Sequence, residues 1–197
     1  MKRFGILFGA ALVSLSGFAC AETEDGLYGA SVPAGAVFVR VLGEAREPIN
    51  ILGRAVDAAE MPKNVFVAFP ASALKTAEPG AHYSIAKSNR GWVTIEEPDR
   101  DKKSKVYLSV INVDAGSASL SVAQSGPQLV DVVSAGGAGT RAVNPVSATL
   151  SATSDGSQTE FDVVLRRKQN ITFVMRAGGI VELVDDTYGP VFEALAQ

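Results

Sequence analysis

The sequence predicts an all-β protein in which two tandem, similar β-sandwich domains follow a cleaved signal peptide. Three observations lead to this prediction: short runs in which apolar and polar residues alternate, glycine and proline recurring between those runs, and an internal repeat. The chain of 197 residues contains 19 glycines and 9 prolines. Beyond the signal, no stretch of the sequence keeps a helical period, so many short strands joined by tight turns are expected.

The amino terminus is typical of a secretory signal. Lys2 and Arg3 form the positive region, residues 4–18 form the apolar region, and the small residues at 19–21 suit cleavage by a signal peptidase. The apolar run is shorter than the roughly 20 residues that a transmembrane helix needs. We therefore expect Sec-dependent export to the periplasm, with cleavage near Ala21.

Cleavage would remove the only cysteine, Cys20. The mature chain would then have no disulfide, no thiol nucleophile and no thiolate metal ligand. Lipid attachment at Cys20 is the alternative, but Gly17 and Phe18 depart from the residues that usually precede a lipidated cysteine. Loss of Lys2 and Arg3 leaves 16 basic and 21 acidic residues in place of 18 and 21, a formal charge of −5. This charge does not favour nonspecific binding to nucleic acid or to an anionic polysaccharide.

The alternating runs define the predicted strands. Residues 117–122 are the clearest case, because three apolar side chains there alternate with three serines. Residues 37–42 and 171–175 also carry large apolar side chains at every second position. A short turn of helix is expected over 53–61. The other predicted strands cover residues 65–69, 83–87, 92–96, 106–111, 129–133, 147–152, 161–165 and 180–184.

An internal repeat supports two similar domains. A hairpin over 83–96 matches a hairpin over 171–184 at an offset of 88 residues, and three apolar residues nearer the start of each half match at an offset of 69. The difference between these offsets, 19 residues, would be extra sequence in the middle of the second half. The matched apolar residues are Val37, Val41 and Ile51 in the first half and Val106, Val110 and Leu120 in the second.

A charged run that contains a proline, residues 96–105, separates the two repeats and is typical of a linker. Each half is small, but large enough for a two-sheet sandwich of about seven strands. The predicted boundaries are a signal peptide at 1–21, a first β-sandwich domain at 22–98, a linker at 99–105, and a second β-sandwich domain with a C-terminal tail at 106–197.

The sequence offers little for catalysis. His82 is the only histidine, and after a Pro-Gly pair it is most simply a residue at the entry to a strand. A serine hydrolase also needs a nucleophile on a defined elbow, and the sequence has neither a G-x-S-x-G motif nor the Gly-Asp-Ser motif of SGNH-type enzymes. The glycine-rich run 134–140 lacks the spacing and the lysine of a phosphate-binding loop, and is interpreted as a flexible connection. We expect no catalytic residue, no metal site and no cofactor.

Charged clusters are interpreted as solvated surface. The pairs Glu96/Glu97 and Asp185/Asp186 follow strands at matching places in the two halves. Neighbours on a strand point to opposite faces, so neither pair should form a converging site. For two basic clusters, contact with a carboxylated sugar chain or an acidic partner is the alternative to solvation. These clusters are Arg100, Lys102, Lys103 and Lys105, and Arg166, Arg167 and Lys168.

Short motifs in both halves resemble those of a known protein family. Residues 26–29 read Gly-Leu-Tyr-Gly, residues 33–35 read Pro-Ala-Gly, and residues 37–40 read Val-Phe-Val-Arg. Further along, residues 79–83 read Pro-Gly-Ala-His-Tyr and residues 141–146 read Arg-Ala-Val-Asn-Pro-Val. In these motifs the sequence resembles the AlgF family of alginate O-acetylation proteins.

The resemblance implies a periplasmic accessory protein that is required for O-acetylation of mannuronate in alginate. Such a protein would be a non-catalytic adaptor beside SGNH-type periplasmic acetyltransferases and a membrane-bound O-acyltransferase, and alginate itself is a further candidate partner. The shared motifs suggest partner-binding roles for Tyr28, Arg40, Arg141 and Asn144. The middle of the first half and the tail from Tyr188 depart from the family pattern.

Two other functions remain open at this point. A carbohydrate-binding module for the polymer would need exposed aromatic rings, for which Trp92 is a candidate although it is more simply a core residue. An acetyl carrier would need a serine or threonine hydroxyl activated by a neighbouring base. The sequence does not indicate which hydroxyl that would be.

Overall fold

A computed structural model describes residues 32–57, 59, 61–102 and 104–192. These residues contain 15 strands and a short 3-10 turn at Ala71–Ala73, which confirms the all-β prediction. No helix in this part of the chain is long and apolar enough to cross a membrane. The predicted signal peptide and Tyr28 lie outside the described residues.

The strands follow the predicted runs closely, with four additions. The first half contains β1 (Ala36–Leu42), β2 (Ile49–Ile51), β3 (Arg54–Val56), β4 (Val65–Pro70), β5 (His82–Ser88) and β6 (Gly91–Glu97). The second half contains β7 (Val106–Asn112), β8 (Ala118–Val122), β9 (Gln128–Val133), β10 (Gly137–Val143), β11 (Ser147–Ser154), β12 (Ser157–Val164), β13 (Ile171–Arg176), β14 (Ile180–Asp185) and β15 (Thr187–Val191). Four strands were not predicted: the short strands β2 and β3, and the longer strands β10 and β15.

These strands form three sheets and a small hairpin. The first sheet has the order β15-β4-β1-β5-β6, the second β10-β7-β13-β14, and the third β12-β11-β8-β9. Strands β2 and β3 pair with each other as a separate hairpin. The prediction of a helical turn over 53–61 is therefore wrong for residues 54–56, which form β3.

The internal repeat is present in the strand register. Strand β1 pairs antiparallel with β4 and parallel with β5, and β7 likewise pairs antiparallel with β10 and parallel with β13. Val39 lies opposite Tyr83, and Leu108 lies opposite Ile171, which reproduces the offsets of 69 and 88. The extra length of the second half supplies the β11–β12 hairpin. The second half is thus a sandwich of two four-stranded sheets. In the first half, among the described residues, the β2–β3 hairpin takes the place of the second sheet.

The glycine-rich run that was expected to be a flexible connection is mostly a strand. Strand β10 pairs with β7 along its whole length and lies close to β9. A Cβ atom at Gly139 would be 2.7 Å from Cγ1 of Val130, well inside van der Waals contact. Glycine at this position therefore allows the side chains of Val130 and Val133 to pack against the backbone of β10, and is not a sign of flexibility.

Each half has an apolar core, and the two main sheets also pack on each other. In the first half Val39 of β1 packs with Ile51 of the hairpin, and in the second half Phe173 of β13 packs with Leu120 of the third sheet. The opposite faces of the first and second sheets share a third apolar cluster, so β1 and β7 are buried on both faces. This cluster consists of Leu42, Ala86, Ile95, Ile111, Val113, Val174 and Val184.

The last strand returns to the first half. Strand β15 pairs in parallel with β4 at the edge of the first sheet, and the amide of Phe192 donates a hydrogen bond of 3.0 Å to the carbonyl of Ala68. The domain boundaries at 98 and 106 stay a prediction. The segment expected to be the tail of the second domain nevertheless contributes a strand to the sheet of the first half.

Candidate functional site

Two cations and two anions form a buried quartet between the two halves: Arg40, Glu97, Arg100 and Asp186. Their side chains are at most 6% exposed. Each arginine forms ion pairs with both carboxylates, with Arg40 Nη2 lying 2.8 Å from Glu97 Oε1 and Arg100 Nη1 lying 2.7 Å from Asp186 Oδ2. The four charges cancel, so the quartet is neutral as a whole, as burial of charge requires.

Hydroxyl groups from both main sheets complete the coordination of Arg40. Its Nε donates to Ser84 Oγ at 2.7 Å, and its Nη2 donates to Thr172 Oγ1 at 2.9 Å. The Thr172 hydroxyl in turn donates to Asp186 Oδ1 at 2.8 Å. The guanidinium also lies 4.3 Å from the centre of the Phe66 ring, a cation–π distance. Since these partners come from both halves, Arg40 cross-links the first and second sheets.

The repeat explains where the two carboxylates come from. Glu97 at the end of β6 lies opposite His82. The backbone amide of Asp186 donates to the carbonyl of Asn170, which matches His82 at the offset of 88. The two carboxylates are therefore equivalent in strand register, at an offset of 89, because the turn between β13 and β14 is one residue longer than the turn between β5 and β6.

The expectation of solvated acidic pairs is correct for Glu96 and Asp185, which are exposed, and wrong for Glu97 and Asp186, whose side chains are buried. The available sequence signal was Arg40 itself, because an arginine inside an otherwise apolar strand needs anionic partners.

An aromatic layer lies beside the quartet. The ring of His82 stacks on Phe38 with 4.7 Å between centroids, and the ring of Tyr188 stacks on Phe66 with 5.3 Å. His82 Nε2 is 3.0 Å from the Tyr188 hydroxyl. His82 begins β5, so it is a strand-entry residue as expected. Its hydroxyl partner arrives on β15, the strand that crosses back from the second half.

The environment of the His82–Tyr188 pair keeps both groups uncharged near neutral pH. Burial, and then the charge of Arg100, lower the pKa of His82. Burial raises the pKa of Tyr188. The imidazole is therefore a weaker base, and the phenol a weaker acid, than each would be in water. Both shifts oppose proton transfer from the hydroxyl to the imidazole.

A basic cleft of about 320 Å³ opens beside the aromatic layer, where the predicted linker, the loop before β13, and β15 meet. Its cationic residues are Arg100, Lys102, Lys105 and Lys168. Its uncharged residues are His82, Tyr107, Asn170 and Tyr188. Within the described ranges, no group of three or more histidine, cysteine, aspartate or glutamate side chains is placed to hold a metal ion.

The residues expected to bind a partner do not form one surface in the described part of the chain. Tyr28 lies outside that part. Arg40 is completely buried, so its guanidinium cannot touch a partner, and its contacts assign it to the quartet instead. Arg141 is exposed on β10, and Asn144 is exposed just after it. The Asn144 Oδ1 accepts a hydrogen bond of 2.7 Å from Lys105 Nζ, which places Asn144 beside the basic cleft.

Replacing His82 with Gln should flatten the pH dependence of stability below about pH 6.5. The folded chain holds the pKa of His82 below its ordinary value of 6.5, so on acidification the unfolded chain takes up a proton first. The wild type consequently loses stability as the pH falls from 6.5 towards the folded pKa. Glutamine does not titrate and can still bond to Tyr188. Urea unfolding of both proteins at several pH values between about 5 and 8 measures the difference, and parallel curves would contradict the assignment.

Comparison with known proteins tests the resemblance to AlgF that the motifs suggested. No protein-family model matches the chain. The alginate biosynthesis protein AlgF of Pseudomonas putida is 28% identical over 163 residues, covering 76% of this chain and 75% of that protein. The AlgF proteins of Pseudomonas fluorescens and Pseudomonas syringae pv. tomato are 28% and 29% identical, covering 82% of this chain and 79% and 78% of theirs. The resemblance to AlgF is confirmed.

The similarity to AlgF is not limited to one half of the chain, because it covers 76% or more of the residues. A solved structure of the C-terminal domain of AlgF from P. aeruginosa aligns with 43% of this chain and 98% of that chain, at 23% identity and a TM-score of 0.36. A likeness of that size carries no structural argument. The relation to AlgF therefore rests on the sequence similarity and on the shared motifs.

Proposed function

We propose that this chain acts in alginate biosynthesis as an exported, non-catalytic accessory protein that supports O-acetylation of mannuronate by contacting the acetylation enzymes. Its partners would be periplasmic SGNH-type acetyltransferases and a membrane-bound O-acyltransferase. The link to alginate rests on the similarity to AlgF proteins, whose names state a role in alginate biosynthesis. The non-catalytic role rests on the site geometry.

The observation that supports a non-catalytic role is that the imidazole of His82 is a weak base whose hydroxyl partner is Tyr188. Acyl transfer through a hydroxyl needs a base that can remove its proton, and usually an oxyanion hole. Among the described residues, the hydroxyl bonded to the only imidazole is that of Tyr188. The pKa of the imidazole is lowered and that of the phenol is raised, which disfavours a tyrosinate nucleophile.

The way the halves are joined supports an adaptor. The buried quartet, the shared apolar cluster and the return of β15 all connect the first and second sheets. Connected in this way, the two halves should keep a fixed relative orientation, in contrast to domains joined by a small polar interface. A protein that acts by contact benefits from such rigidity, because surfaces held in place lose less entropy when they bind.

Binding of the polymer through Trp92 has less support. The Trp92 side chain packs partly against the first core, and its Nε1 donates to Glu47 Oε1 at 3.3 Å. The ammonium of Lys87 lies 5.8 Å from the centre of the Trp92 ring. These contacts already engage the ring and its polar edge, which leaves a poor platform for stacking a sugar.

Purification of the tagged protein from an alginate-producing strain tests the proposal in one preparation. We expect the SGNH-type acetyltransferases to co-purify with the protein, and the intact mass of the mature chain to carry no acetyl group, because no serine or threonine hydroxyl among the described residues bonds to the imidazole of His82. A strain that lacks the gene should make alginate of low acetyl content, restored by the wild-type gene. A chain that purifies with an acetylated Ser or Thr that turns over would instead indicate an acetyl carrier.

A further inference from the structure

The basic cleft beside His82 has an unusual charge for this protein. Among the described residues, four cations line it, Arg100, Lys102, Lys105 and Lys168, and no carboxylate does. The chain as a whole has a formal charge of −3. A cluster of positive side chains on a protein whose net charge is negative produces a local positive potential.

The cations at the rim are not paired within the described residues. Neither the Lys102 nor the Lys168 ammonium forms an ion pair there, and Lys105 binds only the neutral amide oxygen of Asn144. The carboxylates below the cleft, Glu97 and Asp186, are already shared by the two buried arginines. Asp101 accepts a hydrogen bond from the Tyr107 hydroxyl in the wall of the cleft, and the three lysines outnumber it, so the rim keeps a net positive charge.

The walls of the cleft are held in position by short hydrogen bonds. The backbone amide of Lys102 donates to the Tyr107 hydroxyl at 2.6 Å, and that hydroxyl donates to Asp101 at 2.9 Å. The backbone amide of Tyr107 donates to Asn170 Oδ1 at 3.0 Å. These bonds connect the predicted linker to Tyr107 of β7, and Tyr107 to the loop before β13. Lys168 in that loop has a positive φ of 67°, a conformation that costs energy for a residue other than glycine.

We propose that this cleft binds an acidic segment of a protein partner, with one or more Asp or Glu carboxylates seated among Lys102, Lys105 and Lys168. The inference rests on the proposed adaptor function and assigns to it a contact surface and a partner chemistry. Three lysines that line one compact cleft suit carboxylates presented by a folded or extended peptide.

A polyuronate fits this geometry less well. Recognition of a sugar chain uses ring faces, and here one face of His82 is covered by Phe38 and one face of Tyr188 by Phe66. The polar tips of the same two rings bond to each other. The cleft therefore offers charge at its rim and few free ring faces, so the peptide is the occupant that the contacts favour.

Binding of a fluorescent oligoglutamate peptide, followed by anisotropy, tests the inference on the full mature chain. We expect saturable binding that weakens as salt is raised, because exposed charges are screened. The variant K102E/K105E/K168E should lose affinity at least about tenfold, as expected when three favourable charge contacts become repulsive. The matched control R46E/K63E/K75E makes the same change in net charge at exposed sites elsewhere and should stay within about twofold. Circular dichroism and thermal unfolding check that both variants are folded.

Two further probes decide between occupants. An oligoglutamine peptide should not bind, since it lacks the carboxylates. Oligomannuronate should not displace the oligoglutamate peptide at equal carboxylate concentration; displacement would overturn the inference in favour of a polymer site. Equal loss of binding in both charge variants would also overturn it, because the cleft would then contribute nothing specific.

The same variants separate this inference from the proposed function. If the cleft variant still co-purifies with the acetyltransferases as well as the wild type, the cleft is not the contact surface and only the inference fails. If the wild type itself does not co-purify with them, the adaptor function fails, whatever the peptide result. Loss of co-purification in the cleft variant alone supports both.

Discussion

Replacing Arg40 with Met is expected to lower the free energy of unfolding by about 3–5 kcal/mol, because it leaves Glu97 and Asp186 with one buried cation between them. Arg40 is completely buried and donates to both carboxylates and to hydroxyls of both sheets. Methionine has a similar length, so the main change is the loss of charge and of hydrogen-bond donors. Urea unfolding at neutral pH, with the slope checked for two-state behaviour, measures the effect.

Two further variants make the Arg40 result specific. Arg46→Met removes an arginine whose side chain is 88% exposed, and should change stability by less than about 0.5 kcal/mol. In the double variant Arg40→Met with Asp186→Asn the quartet is neutral again, and part of the lost stability should return. An Arg40→Met protein as stable as the wild type, or a double variant no better than the single one, would contradict the view that the quartet holds the sheets together.

Ending the chain after Asp186 is expected to destabilise the protein by at least about 2 kcal/mol, because it removes the aromatic contacts of the half-exposed Tyr188 and the partly buried Phe192 as well as strand pairing. Tyr188 stacks on Phe66, and Phe192 stacks on Phe69 with 5.0 Å between centroids. Removal of β15 also leaves β4 as an unpaired sheet edge, which is a template for aggregation. Thermal unfolding and light scattering of the mature chain measure the two consequences.

A chain that ends at Phe192 is the matched control for this truncation. It keeps every described contact of β15 and should unfold at the wild-type temperature. If the chain ending at Asp186 is equally stable, β15 is a dispensable addition to the first sheet, and the fixed relation between the halves must depend on the quartet and the apolar cluster alone.

The sequence by itself determined the strand class, the repeat and most strand positions. Alternation of side chains along a strand depends only on local geometry, so runs such as 37–42 and 117–122 could be recognised without knowing what they pack against. The repeat was visible for a related reason. Equivalent strands of the two halves have the same neighbours, and the pairing of Val39 with Tyr83 recurs as that of Leu108 with Ile171.

Only the tertiary structure decided the buried quartet, the path of β15 and the position of the cleft. Arg40 and Asp186 are separated by 146 residues, and a strand pattern does not say which face will be covered by a second sheet. The sequence therefore indicated solvated carboxylates where Glu97 and Asp186 are buried. Strand β15 joins the first sheet because β4 would otherwise present an open edge, and edge pairing depends on proximity in the fold rather than on residue pattern. The lysines were visible as charge runs, but their convergence on one cleft follows from the packing of the two halves.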